Sequence, residues 1–79
     1  MNYFLILYDG STRSIIEEEE FSSEDRHLAL ERRFALEKEY RDAPNVEVVV
    51  FGSESHEALE HTHSRYFKTV SQMTNSLHG

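Results

Sequence analysis

The chain has 79 residues, with 15 acidic against 8 basic side chains, a formal net charge of −7 and no cysteine. That length gives one small domain with a modest core, and the missing cysteine excludes disulfide support while leaving the redox compartment open. The acidic balance argues against direct binding to nucleic-acid backbones or anionic membranes.

The first predicted element is Tyr3–Tyr8, an unbroken apolar and aromatic run. Alternate side chains of a strand point to opposite faces, so a run without polar breaks needs cover on both. It is also the longest apolar run and is far short of a bilayer span. Met1 is followed at once by strand-like sequence, without the basic start and cleavage site of a secretory leader. The expectation is therefore a cytoplasmic protein forming a single domain over 1–79, with about 74–79 as a flexible tail.

Asp9-Gly10 next signals a hairpin, because Gly accepts positive φ at low cost. A second strand over Arg13–Phe21 contains Ile15, Ile16 and the four glutamates Glu17–Glu20. Glutamate is a poor strand former, and an edge strand carrying charge against unwanted pairing accounts for the run. Ser22 and Ser23, followed by Glu24 and Asp25, start a helix reaching about Tyr40 or Arg41, with Pro44 just beyond. Val46–Phe51 is a β-branched third strand closed by Gly52. Ser53 or Ser55 then caps a second helix, from about His56 to Val70.

The order β-β-α-β-α, with the most apolar strand central, predicts an α+β two-layer sandwich: a three-stranded sheet of order 2-1-3 with both helices on one face. An even hairpin loop groups Phe4, Ile6 and Tyr8 with Ile15, Glu17, Glu19 and Phe21; an odd loop would exchange the strand-2 sets between faces. Phe4, Ile6, Ile15 and Phe21 are expected under the helices with Val46, Val48 and Val50. The outer face would carry Tyr3, Leu5, Leu7, Ile16, Val49 and Phe51, rimmed by Glu18, Glu20 and Glu47. An apolar sheet face of this kind is a contact site.

Other arrangements carry weaker chemistry. Arg33 and Glu37 sit four apart at mid-arc of the first helix, with Arg33 within reach of the strand-2 glutamates. His63 and Tyr66 lie along the second helix, giving a possible helix–sheet pocket of Arg33, Glu37, His63 and Tyr66. His61 and His63 diverge on a helix, so no metal site is expected. No Gly-rich phosphate loop or nucleophile elbow occurs, so no catalytic residue and no cofactor are assigned.

The leading function is a small acidic interaction module, not an enzyme, that self-associates or docks on a partner through its sheet face. The partner is a homodimer mate or another protein, with a basic surface suiting the acidic rim. One alternative is an acidic inhibitor or nucleic-acid mimic occupying a basic groove through Glu17–Glu20, Glu24 and Asp25. The other is a small enzyme or ligand-binding subunit using the helix–sheet pocket.

Overall fold

The computed structural model describes residues 1–67. β1 (Asn2–Asp9), β2 (Ser14–Phe21) and β3 (Val46–Ser53) form one antiparallel sheet in the order β2-β1-β3. Two helices, α1 (Arg26–Glu39) and α2 (His56–Thr62), complete an α+β fold. Class, strand order and the central place of β1 are as the sequence predicts. The tail expected over 74–79 lies outside the described residues.

The helices do not share a face. Leu5 and Leu7 pack with Leu36 of α1, flanked by Phe21, Tyr40, Val46, Val48 and Val50. Phe4, Ile6 and Tyr8 pack on the other side with Leu59 of α2 and Tyr66, flanked by Ile15, Val49, Phe51 and Phe67. The sheet is thus the middle of three layers, and the expectation of both helices on one face is corrected. The reason lies in β1 itself: its Phe4–Tyr8 segment is at most 5% exposed, so each of its faces needs a cover. Burying a large apolar side chain is worth about 1.5–3 kcal/mol. One covered face would have forfeited half of that gain.

Register explains which side chains go where. In β1–β3, Leu5 faces Val50 and Leu7 faces Val48, while Phe4 faces Phe51 and Ile6 faces Val49. The valines Val46, Val48 and Val50 therefore join Leu5 and Leu7, not Phe4 and Ile6. In β1–β2, Tyr8 faces Ile15, but Leu7 already faces Glu17. A β-bulge falls between these pairs and reverses parity from there on. Ile15 lies with Tyr8 as the even loop predicts, whereas Phe21 ends opposite Tyr3 on the α1 face.

The hairpin also departs from expectation in its backbone. The only positive-φ residue among those described is Arg13 (φ 57°), not Gly10. Gly10 matters for a different reason. Its N–H donates to the Asn45 carbonyl at 2.7 Å, and an added Cβ would stand 3.3 Å from that oxygen. Asp9 stabilises the turn by accepting from Ser11 N–H (2.9 Å) and Ser11 Oγ (2.6 Å). These bonds from Ser11 hold the Asp9 carboxyl below the usual aspartate range.

α2 is shorter than periodicity suggests. Ser55 caps it by accepting from Ala58 N–H at 3.1 Å, but it stops at Thr62 instead of running to Val70. Thr62 Oγ1 donates back to the Ala58 carbonyl, and His63 leaves helical geometry at φ −122°, ψ 48°. A 3₁₀ turn over Ser64–Tyr66 follows and inserts Tyr66 edge-on against Tyr8, ring centres 5.0 Å apart. No described helix is long and apolar enough to cross a membrane.

Candidate functional site

The residues expected on one open sheet face are dispersed by the three-layer arrangement. Leu5 and Leu7 are fully buried beneath α1, with Tyr3 half-buried beside them. Val49 and Phe51 lie across the sheet, packed on the α2 side. Ile16 stands at the bulge and is exposed. The three rim glutamates are engaged locally: Glu18 with His56, Glu20 accepting from Asn2 Nδ2 (2.6 Å), and Glu47 accepting from Arg65 Nη2 (2.8 Å). A free apolar face built on Tyr3, Leu5 and Leu7 does not exist, because α1 occupies it.

The expected pocket residues are also separated by the sheet. Arg33 and Glu37 belong to α1, and Arg33 Nε lies 3.5 Å from Glu37 Oε1. His63 and Tyr66 sit on the opposite side, where His63 stacks on Phe51 with ring centres 3.7 Å apart. The arginine that does reach the β2 glutamates is Arg32, 2.9 Å from Glu17 and 3.6 Å from Glu19. One residue, about 100° of helix, separates it from the expected Arg33. A bulge in β2 is what turns Glu17 and Glu19 toward it.

Two further anchors tie the α2 side to the sheet. Arg65 lies over the Tyr66 ring, 4.3 Å from its centre, and holds the Glu47 carboxylate of β3. His56 binds Glu18 of β2 through Nε2 and lies 3.4 Å from Glu60 through Nδ1. Its ring also meets Phe4 and Phe67 edge-on. Burial disfavours the charged ring, but the hydrogen bond and charge of Glu18, helped by Glu60, outweigh it and raise the His56 pKa above the ordinary value. The two carboxylates meet opposite ring nitrogens, so they do not converge on one point. Nothing in the local sequence singles out the contacts of Arg32, His56 and Arg65 with the sheet; their partners on the strands are 15 to 38 residues away.

With both faces covered, what the sheet still presents is its two edges. β2 carries the charged run, and its glutamates are paired as described. β3 reads Val-Glu-Val-Val-Val-Phe-Gly-Ser, with one charge, Glu47, already neutralised by Arg65. Among the described residues no strand lies beyond it. A groove of about 410 Å³ is lined by Val46, Glu47, Val48 and Val49 together with Tyr40, Arg41 and Pro44. Four consecutive strand residues bordering one groove belong to both sheet faces, so the groove follows the strand's backbone edge. A second groove of about 320 Å³ is lined by Phe51, His63 and Arg65 near the other end.

The backbone polarity of this edge follows from one hydrogen bond. Gly10 N–H donates to Asn45 C=O, and the β1–β3 register continues unbroken from Asp9–Val46 to Asn2–Ser53. In an antiparallel pair both polar groups of a residue point the same way and alternate along the strand. Glu47, Val49 and Phe51 therefore bond to β1, and Val48, Val50 and Gly52 aim their N–H and C=O groups outward. Val46 N–H is occupied, donating to Ala43 C=O at 3.1 Å.

Comparison with known proteins returns no match: no family model fits the chain, and no curated protein or solved structure resembles it significantly.

Proposed function

We propose that this protein is an interaction module that works by strand addition, taking an extended segment of another polypeptide along the free edge of β3. The observation that carries this reading is the contrast in charge along the sheet: β2 is guarded by four glutamates, whereas β3 presents a long apolar edge with a neutralised charge. Natural sheets blunt their edges with charge, proline or cover, and an edge left unguarded is a template for another strand. In this mode the backbone supplies affinity and alternate side chains supply selectivity. The grooves beside Val48 and Phe51 give room for the added side chains.

The reading keeps the expected module and moves its contact from the sheet face to the sheet edge, since the face is filled by helices. The dispersal of Glu17–Glu20 over two faces supports a contact role over a phosphate mimic, which needs carboxylates on one surface. The separation of Arg33 from His63 likewise gives no support to a shared pocket.

The test is a titration of the ¹⁵N-labelled protein with a synthetic peptide of the β3 sequence, Val46–Ser53, flanked by lysines for solubility. The expected result is slowed exchange of the Val48, Val50 and Gly52 amides, with those of β2 unchanged. Perturbation spread over β2 or α1 instead, or Val48, Val50 and Gly52 amides that exchange freely both alone and with the peptide, refutes strand addition at β3.

A further inference from the structure

We infer that the strand added to β3 is β3 of a second copy of this chain, paired antiparallel about a two-fold axis at Val50; this rests on the strand-addition reading. A two-fold perpendicular to the sheet preserves faces, so its axis passes beside one residue and each strand residue meets a defined mate. Three registers keep the valines together, centred on Val48, Val49 or Val50.

The free backbone groups choose between them. Centred on Val50, the pairing sets Val50 against its own copy and Val48 against Gly52, so every outward N–H and C=O of those residues finds a partner. Centred on Val49, Gly52 faces Val46, whose N–H is already spent on Ala43. Centred on Val48, Gly52 is carried opposite Pro44, which has no N–H to give. An unmet buried backbone group costs more than an unmade exposed one, which disfavours both alternatives.

Side chains agree with the Val50 register. Val49 meets Phe51 at a non-hydrogen-bonded position, where cross-strand side chains come closest and β-branched–aromatic pairs are favourable. Val48 meets Gly52, which has no Cβ to crowd it. Glu47 meets Ser53, so no carboxylate faces another. Glu54, 82% exposed and 3.9 Å from the Met1 amino group of its own chain, falls opposite Val46 of the second copy, where the groove includes Arg41. The same operation on β2 would set Glu17–Glu20 against one another, and like charges placed opposite are destabilising. The copies each carry −7, so their approach is helped by salt that screens beyond a Debye length of about 8 Å at physiological ionic strength.

Sedimentation equilibrium of the full chain, combined with isotope-filtered NMR of mixed labelled and unlabelled protein, tests this. The expected result is a doubled mass that strengthens with salt, together with an intermolecular Hα–Hα contact from Val49 to Phe51. Val50→Pro removes one outward N–H while sparing the β1 ladder, and should give a folded monomer. The mixed-label measurement stands even if that variant does not fold. A monomer at millimolar concentration that still binds the lysine-flanked β3 peptide overturns the second-copy inference and leaves strand addition intact. A monomer that also ignores the peptide overturns both. A dimer lacking the Val49–Phe51 contact, or edge amides whose protection does not change with concentration, overturns the inference in favour of another interface or an intramolecular occupant.

Discussion

The two edges of this sheet flank the same central strand and have the same length, yet they are built to opposite ends. β2 carries Glu17–Glu20, and each carboxylate has a place: Glu17 and Glu19 under Arg32 of α1, Glu18 beside His56 of α2, Glu20 against Asn2. β3 carries valines, one glutamate tied to Arg65, and a groove bordered by Val46–Val49. On the strand-addition reading the acidic run guards one edge, and its absence from β3 is as informative as its presence on β2. A charge run that looks like a ligand site in the sequence is, in the fold, a local fastening of both helices to one strand.

The comparison breaks most completely at the strand both edges share. Leu5→Ala removes a fully buried side chain between β1 and α1 and should cost about 2–5 kcal/mol in chemical denaturation. Loss of less than about 1 kcal/mol would mean that α1 does not cover this face. Leu5→Glu, by placing an unpaired charge there, should abolish folding instead of releasing a folded monomer.

The next largest effect concerns the guard itself. Replacing Glu17–Glu20 together by threonine keeps β propensity and removes the charge, so both edges become open. Light scattering should then show species larger than those of the wild type, growing with concentration. An unchanged size distribution would show that the glutamates do not protect β2.

A smaller effect is expected from Arg32→Ala, which releases Glu17 and Glu19 but touches nothing on β3. These are half-exposed pairs screened by solvent, so the loss in stability should be small beside that of Leu5→Ala in the same denaturation experiment. A change in peptide binding at β3 would show that the edges are coupled and not independent.

The smallest is a pH effect at His56. Its folded pKa is raised above the ordinary 6.5, so its contribution is fully present below that value and is lost as pH rises through the folded pKa. Wild-type stability should therefore fall relative to His56→Gln as pH rises above 6.5 and through the folded pKa, and the gap should close at the alkaline end. A gap that widens with rising pH would reverse the sign assigned to the Glu18–His56–Glu60 cluster.

Much of the fold was legible in the residues. The unbroken Tyr3–Tyr8 run and the glutamates of the second strand suffice to set a central and an edge strand, and Pro44 and Ser55 bracket elements where expected. Face assignment was not legible, because one bulged residue reverses parity and nothing in Ile15-Ile16 announces it. The end of the second helix was not legible for a related reason: apolar spacing continues through Tyr66, but Thr62 and His63 end the helix by hydrogen bonding and backbone geometry. The candidate site was legible only in part. The Val46–Phe51 run was visible as a strand, while its role as an exposed edge depends on which strand lies beside it.

By itself, then, the sequence determined element order, α+β class, strand order and the acidic character of one strand, all of which follow from local pattern and charge. The tertiary structure decided that the helices take opposite faces, that Arg32 and not Arg33 meets the β2 glutamates, and that Val48, Val50 and Gly52 turn their backbone groups outward. The physical reason is common to all three. Period-2 and period-3.6 patterns say which side chains belong together, but only register, set by a bulge and by hydrogen bonds between distant residues, says which side of the sheet they occupy.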